Sequence, residues 1–291
     1  MRKAIFLGCT VPVRALNYDM STRKVAETFD VELEDLPFTC CGYPLSSVHR
    51  ITSVTMAAVN LSKAEQNNLD IITICSACTT ILTKVNKMLK EDKEQRKKIN
   101  TLIEPLGYEF KGTIEVKHFM RFLVEDIGIQ RIEEKIKNNL DGIKIAPIYG
   151  CHYLKPSEIY GSFDDPERPE TLDKLIGATG ASPIDFEGKN LCCGGAILGV
   201  DETTSLTMTK EILDGVKKHE PDAMALLCPF CSIMFDEYQP SIGEGFGTEY
   251  NIPALFYPQL LGLALGYDPK TLGINKNKVK AKKLLKKILG E

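Results

Sequence analysis

Ten cysteines are the residues of this chain with the clearest capacity for chemistry, and they form two sets with nearly the same spacing. The first set reads C-x30-CC-x33-C-x2-C, the second reads C-x40-CC-x34-C-x2-C, and no cysteine is left over. A duplicated pattern of this kind predicts two equivalent sites built from thiols. The first set contains Cys9, Cys40, Cys41, Cys75 and Cys78, and the second contains Cys151, Cys192, Cys193, Cys228 and Cys231.

Metal ligation is the first explanation for so many thiols. Structural zinc takes four ligands, whereas each half of the chain offers five cysteines. Two adjacent cysteines can bind different irons of one cluster, so the spacing favours iron–sulfur over zinc, which stays open as the alternative. A disulfide framework would leave an odd thiol in each half. A thioredoxin-like dithiol at Cys75 and Cys78 would not need the CC pair upstream.

The segments around the cysteines repeat as well, since AIFLGC ends at Cys9 and APIYGC ends at Cys151. In each half, short apolar runs alternate with longer amphipathic stretches, which predicts parallel sheets covered by helices. Turn residues in KNNLDGIK predict a boundary. We therefore expect an α/β chain of two tandem, internally duplicated domains, 1–141 and 142–291. The cysteines would then gather at the carboxyl edges of the two sheets.

The composition is that of an ordinary soluble globular protein, with 43% hydrophobic and 26% charged residues. The net charge of −3 gives no indication of nucleic-acid binding. The start, MRKAIFLGCTVPV, superficially resembles a signal peptide, but no cleavage site follows it, so we do not expect export. No apolar stretch reaches the ~20 residues of a membrane span. We expect a cytoplasmic protein, where thiols stay reduced.

The two cysteine sets, each with a CCG motif and a CxxC motif, resemble the two CCG domains of the B subunit of methanogen heterodisulfide reductase. The resemblance covers nearly the whole chain. It implies that all ten cysteines are ligands and that each domain holds one non-cubane [4Fe–4S] cluster, with zinc at one site as the alternative. It also implies the substrate of methanogenesis that such a protein reduces, the coenzyme M–coenzyme B mixed disulfide (CoM-S-S-CoB).

Electrons have to reach such a chain from a partner. No GxGxxG motif follows a predicted strand and no P-loop is present, so neither flavin nor nicotinamide is expected here. The resemblance implies a soluble complex with an iron–sulfur subunit that carries cubane clusters and a flavin-containing subunit, and it leaves a hydrogenase open as a further member. Our hypothesis places the substrate between the two domains, with one electron from each cluster.

Two other functions compete with this one. CCG domains also occur in the iron–sulfur electron-transfer subunits of lactate, glycolate and glycerol-phosphate dehydrogenases. Those subunits commonly carry a fused ferredoxin-type segment, and the cysteine run C-x2-C-x2-C-x3-C is absent here. A non-catalytic zinc or electron-transfer scaffold is the third possibility.

A basic lining is expected around the anionic groups of the substrate. Its candidate residues are also explained as ordinary solvated charge. His152, which follows Cys151, is a candidate proton donor because the pKa of histidine lies near neutrality. The glycines of the two CCG motifs, Gly42, Gly194 and Gly195, are expected to let the backbone approach a cluster. The candidate anion-binding residues are Arg14, His49, Arg50 and Lys155.

The last segment, KNKVKAKKLLKKILGE, carries seven lysines between Lys276 and Lys287. Apolar residues recur among them at helical spacing, which predicts an amphipathic helix. We expect this helix to pack by its apolar face, with docking to a partner protein as the alternative.

Overall fold

The computed structural model describes residues 1–161 and 163–290, and it has two halves of the same architecture. The first half is built on the strands β1 (Arg2–Phe6), β2 (Glu32–Asp35), β3 (Ile71–Thr73) and β4 (Val116–His118). Its helices are α1 (Val11–Arg14), α2 (Leu16–Thr28), α3 (Arg50–Gln66), α4 (Ser76–Glu91), α5 (Lys93–Ile103), α6 (Phe119–Phe122) and α7 (Ile129–Glu133).

The second half repeats this order from residue 144 onward. Its strands are β5 (Lys144–Ile148), β6 (Ser182–Pro183), β7 (Ala223–Leu226) and β8 (Ala254–Phe256). Its helices are α8 (Cys151–Leu154), α9 (Thr171–Gly177), α10 (Glu202–Lys217), α11 (Pro229–Ser232), α12 (Gln239–Phe246), α13 (Tyr257–Ala264) and α14 (Lys282–Leu289). One turn of π-helix extends α6 and another extends α11.

The two sheets have equivalent strand orders, β2-β1-β3-β4 and β6-β5-β7-β8, and all of their pairings are parallel. The central strands β3 and β7 are buried along their whole length. Burial on both faces explains their continuous apolar sequences, because helices cover a parallel sheet on each side. This confirms the predicted α/β class and the tandem duplication.

The two halves contact each other through helices and loops of both domains. The ring of Tyr18 in α2 stacks on Phe256 at 3.9 Å between centroids, and its hydroxyl donates to the carbonyl of Leu227 at 2.9 Å. On the opposite side of the interface, α8 of the second half packs against α4 of the first. A buried aromatic contact of this kind fixes how the two carboxyl edges face each other.

The C-terminal helix α14 packs by its apolar face. Leu284 is buried, and Leu285 and Ile288 contact the core. Lys287 forms an ion pair with Asp222, while the other lysines of the helix are exposed. No helix in the described part of the chain is both long and apolar enough to cross a bilayer.

Candidate metal centres

The cysteine-bearing segments leave the sheets at their carboxyl ends. Cys9 follows the last residue of β1 by three positions, and Cys75 lies between β3 and α4. In the second half, Cys151 opens α8 three positions after the last residue of β5, and Cys228 lies between β7 and α11. Because neighbouring parallel strands end at the same edge, residues far apart in sequence meet there.

Each CxxC motif begins a helix. Cys75 is the residue that caps α4, and Cys228 caps α11. The amide groups of Phe230 and Cys231 donate to the sulfur of Cys228, and the amide of Cys78 donates to Cys75. Free N–H groups at a helix N-terminus favour an anion. The pKa of Cys228 is lowered well below its usual value, whereas the hydrogen bond to Cys228 raises the pKa of Cys75.

Both CCG motifs form the same turn. The amide of Gly42 donates to the sulfur of Cys40 at 3.5 Å, and the amide of Gly194 donates to the sulfur of Cys192 at 3.4 Å. The amide of Tyr43 also donates to Cys41. Each turn thus offers backbone donors to its sulfurs, which favours their charged form.

The CCG glycines pack against the helix that follows them. Gly42 has φ +90°, and a Cβ atom there would lie 2.7 Å from the carbonyl oxygen of Ser53 in α3. Gly194 has φ +79°, and a Cβ atom would lie 2.7 Å from the carbonyl oxygen of Ser205 in α10. At Gly195 the nearest atom would be the carbonyl oxygen of Phe230 at 3.0 Å. Positive φ and close packing against the helix therefore both require glycine at the first of these positions in each CCG turn.

Two other glycines are the ones that lie directly against the thiols. A Cβ atom at Gly8 would be 2.9 Å from the sulfur of Cys78, and one at Gly150 would be 3.3 Å from the sulfur of Cys231. Both have positive φ. Reasoning from the sequence did not single them out, although the repeated Gly-Cys endings of AIFLGC and APIYGC carry the signal.

In the first half, the thiols contact each other around Cys78. Its thiol donates to Cys41 and to Cys75, and these hydrogen bonds raise the pKa of Cys78 well above its usual value. The hydrogen bond from Cys78 lowers the pKa of Cys41. Burial raises the pKa of Cys40, which lies next to Cys9. All five thiols of the first set therefore belong to one group.

The second half repeats this arrangement around Cys231. Its thiol lies 3.5 Å from the sulfur of Cys193 and also donates to Cys228, so its pKa is raised. The hydrogen bond from Cys231 lowers the pKa of Cys228. At the outer end, the thiol of Cys151 donates to Cys192 and lowers the pKa of Cys192 to about 6.

The two groups of thiols meet across the domain interface. Cys75 donates to Cys228, and both residues are buried. Cys9 is exposed at the other end of the first group. Thiol contacts thus run from the first set through Cys75 and Cys228 to Cys231 and Cys193, and Cys151 and Cys192 form a further pair in the second domain.

Within residues 1–161 and 163–290, no group of three or more His, Cys, Asp or Glu side chains is arranged so that it could hold one metal ion. The thiols of each half instead contact one another around one central member, Cys78 in the first half and Cys231 in the second. A mononuclear zinc site needs four ligands around one ion. Each set offers five thiols, one more than zinc takes, and cysteine thiolates are the ligands of iron–sulfur clusters, so the donor set suits a cluster of several irons.

His152 links the second domain to the first. Its Nε2 atom lies 2.9 Å from the hydroxyl of Tyr43, and its carbonyl oxygen accepts from the hydroxyls of Thr80 and Tyr160 at 2.9 and 2.8 Å. Burial lowers the pKa of His152, which keeps the imidazole neutral. Burial likewise raises the pKa of Tyr43 to about 12. Sequence reasoning missed these hydroxyl partners, because they lie in other segments.

The predicted anion-binding residues lie in different surroundings. Arg14 forms an ion pair with Glu237 across the domain interface and lines a cavity there. Lys155 is paired with Glu167 at 2.9 Å. The structure does not gather these four residues into one cluster. The remaining two lie at the start of α3, where His49 contacts Thr52 at 2.7 Å and Arg50 contacts Met88 at 3.9 Å.

The fold and the two sets of thiols define a tandem cysteine-rich α/β protein. The cysteine-rich domain family designated CCG matches residues 3–83 and 145–236. The B subunit of ferredoxin:CoB-CoM heterodisulfide reductase from Methanosarcina mazei is 37% identical, over 98% of this chain and 96% of its own length. The chain therefore belongs to the CCG family of oxidoreductase subunits, in which the B subunit of heterodisulfide reductase is also found.

Other relatives place the chain in a wider group. The membrane anchor subunit of 8-methylmenaquinol:fumarate reductase from Wolinella succinogenes is 30% identical, over 97% of this chain and 98% of its own length. A crystal structure of a hypothetical protein from Helicobacter pylori superposes with a TM-score of 0.78 at 16% identity. The superposition covers 96% of this chain and 52% of the Helicobacter pylori protein, and it shows that the two share a fold.

Proposed function

We propose that this chain is the catalytic B subunit of a heterodisulfide reductase, which reduces CoM-S-S-CoB to two thiols. The observation that carries the proposal is the contact between Cys75 and Cys228, because it brings two duplicated sets of thiols together at one interface. A disulfide bound there would have one set of ligands on each side. The identity to a heterodisulfide reductase B subunit over nearly the full length of both chains supports the same function.

The proposed cofactors are two non-cubane [4Fe–4S] clusters, one in each domain. The first would be held by Cys9, Cys40, Cys41, Cys75 and Cys78, and the second by Cys151, Cys192, Cys193, Cys228 and Cys231. The five thiols in each set support a cluster of several irons, and zinc at one site is the alternative.

The reaction consumes two electrons and two protons and releases two thiols, since the S–S bond is broken and each sulfur ends as S–H. When bound, the clusters would supply one electron each and a Lewis acid for each sulfur. The chain's own contribution is to hold the ten ligands on both sides of the interface and to supply a proton. His152 is the proposed donor, because it lies beside Cys151. Since burial keeps its imidazole neutral, it would pass on a proton taken from the hydroxyl of Tyr43, 2.9 Å from its Nε2 atom.

The proposed partners are the iron–sulfur subunit with cubane clusters and the flavin-containing subunit of a soluble cytoplasmic complex. The exposure of the Cys9 thiol supports this proposal, because Cys9 lies at one end of the first group of thiols. A donor protein has to approach the clusters closely, and an accessible end of the site is where it can do so.

The proposal is tested on anaerobically purified protein. We expect about eight irons and eight acid-labile sulfides per chain, and four or fewer would contradict the two-cluster assignment. We also expect reduction of CoM-S-S-CoB with an artificial dye as electron donor. Matched variants are Cys78→Ser and Cys231→Ser, which remove the central thiol of either set; each should cost one cluster and abolish turnover. Unchanged turnover in His152→Ala would remove that residue from the mechanism.

A second candidate function is an iron–sulfur electron-transfer subunit of another oxidoreductase. The 30% identity to a fumarate reductase subunit favours this candidate specifically. The two functions differ in one assay. An electron-transfer protein would contain the clusters and accept electrons from the dye, but it would not reduce the heterodisulfide.

A further inference from the structure

The domain interface is closed on one side and open on the other. On the closed side, the start of α8 next to Cys151 is covered by the contact between His152 and Tyr43. On the other side the duplicated position of Tyr43 holds Gly195, and Cys9 is exposed. The helix that follows Cys9, α1, is also exposed, since 79% of Val13 is accessible to solvent. Access to the sulfurs is therefore easier beside Cys9.

A cavity of about 420 Å³ lies between the two domains on this open side. One wall is formed by α1, which starts two residues after Cys9. The other wall includes Ser232, which directly follows Cys231. Segments next to a ligand of each set therefore border the same cavity. The cavity is also lined by Leu16, Asn17, Asp236, Glu237, Lys276, Asn277, Lys278 and Lys280.

The segment 276–280 presents lysines to this cavity because its alternate residues are anchored. Asn277 is buried and donates to the carbonyl of Ala254 at 2.7 Å. The carboxylate of Asp236 accepts from the amide groups of Lys278 and Val279 at 2.7 and 2.8 Å. With Asn277 and Val279 turned inward, the three lysines between and beside them are exposed. The backbone contacts thus hold the lysines on the outer face.

The cavity carries a net positive charge. Its two acidic groups are already engaged, since Glu237 pairs with Arg14 and Asp236 accepts the two amides. Lys280 donates to backbone carbonyl oxygens of its own segment. Within the described residues, neither Lys276 nor Lys278 has an acidic partner within 4.0 Å. Two cations are left to meet a ligand, and such sites favour oxyanions.

We propose that this cavity binds the anionic end of the disulfide substrate through Lys276 and Lys278. The chemical class is a sulfonate or phosphate ester, since both offer several oxygen acceptors to ammonium groups. The inference rests on the proposed function and adds to it a site for the anionic end of the substrate, next to segments that carry Cys9 and Cys231. Of the four anion-binding residues expected from the sequence, Arg14 lines this cavity, where it is paired with Glu237, and the other three lie elsewhere.

The test compares two double variants of the assembled protein. Lys276→Gln/Lys278→Gln removes two cations that line the cavity, and Lys282→Gln/Lys283→Gln removes two exposed cations of α14 outside it. We expect the first pair to raise KM for CoM-S-S-CoB about three- to tenfold with unchanged kcat, because exposed charge contacts contribute modestly to binding. The control pair should leave KM unchanged. Equal KM values for the two double variants would overturn the proposal.

A binding measurement separates this proposal from the proposed function. Inorganic phosphate and methanesulfonate are titrated against the wild-type and both double variants, at constant ionic strength, and the shift in melting temperature is recorded. We expect saturable stabilisation that the cavity variant loses and the control variant keeps. If CoM-S-S-CoB is not reduced but this pattern holds, the proposed function fails and the anion site stands. If the pattern is absent, the anion site is refuted whether or not the disulfide is reduced.

Discussion

Replacing a CCG glycine by alanine should destabilise the protein through one identifiable overlap. In Gly42→Ala the new Cβ atom would lie 2.7 Å from the carbonyl oxygen and 2.9 Å from the Cα atom of Ser53, at φ +90°. The positive φ costs an alanine about 1–2 kcal/mol. The overlap adds about 1–3 kcal/mol, because backbone atoms of a packed helix have to move. Gly194→Ala should behave alike, since its Cβ atom would meet Ser205 in the same way.

Gly107→Ala is the matched control for this prediction. Gly107 also has a positive φ, +81°, but a Cβ atom there would have no neighbour within 4 Å. The control therefore incurs the backbone cost without the overlap. The apparent melting temperature is measured anaerobically on each variant together with its iron content. We expect Gly42→Ala to melt roughly 3–10 °C below Gly107→Ala, at about 2–4 °C per kcal/mol. Equal melting temperatures would refute the packing argument.

Three further perturbations follow from buried polar groups. Burial lowers the pKa of His118 to about 4, so between about pH 6.5 and 4 the unfolded chain binds a proton that the native chain does not. Stability should thus decrease by about 1.4 kcal/mol for each unit that the pH falls through this window. Denaturant midpoints are measured at about pH 7.5 and 5.5, and the difference between them should be smaller in His118→Gln than in the wild-type protein. The same difference in both proteins would contradict this prediction. The carboxylate of Glu65 accepts hydrogen bonds from the amides of residues 111, 112 and 113 at 2.7, 2.6 and 2.7 Å. Glu65→Ala should therefore lower the free energy of unfolding by about 3 kcal/mol, and Glu65→Gln should lower it less. Equal losses in the two variants would contradict the role of these hydrogen bonds. Tyr43→Phe removes the contact with His152 and should cost about 1 kcal/mol while the iron content stays unchanged, because Tyr43 is not a ligand; loss of iron would argue against that assignment.

The fold could be predicted from the sequence because its signals are local. A buried parallel strand needs a short apolar run, and IIT of β3 and AMAL of β7 are such runs. Because the two halves repeat, each strand and helix is predicted from two segments of the sequence, and a weak signal in one half is supported by the stronger signal in the other. The strand β6 comprises two residues only, Ser182 and Pro183, and neither has an apolar side chain buried in the sheet. Nothing in its composition indicates a strand, and β6 is recognised only by its backbone pairing with β5.

The candidate site could be predicted only in part. The duplicated spacing identified the ten thiols. Their convergence could also be expected, because their segments leave neighbouring strands at the same edge of each sheet. The contact between Cys75 and Cys228 joins residues of different domains, and no periodicity reports how two domains face each other. The hydroxyl partners of His152 depend on the same orientation. The placement of the two cavity lysines is likewise set by anchors at Asn277 and Asp236, far apart in sequence.

The duplication predicts two equal sites, yet the structure makes them unequal where the halves meet. Cys151 is followed by His152, whose contacts close its side of the interface, whereas Cys9 is followed by Thr10, 3.9 Å from its sulfur. Gly195 in place of Tyr43 removes the ring that would close the second side in the same way. The two sets of thiols thus differ in how exposed their first cysteine is, since Cys9 is exposed and Cys151 is half-buried. Under the proposed function, a substrate that has to reach both sets at once would enter beside Cys9, where this asymmetry of the side chains leaves the approach more open.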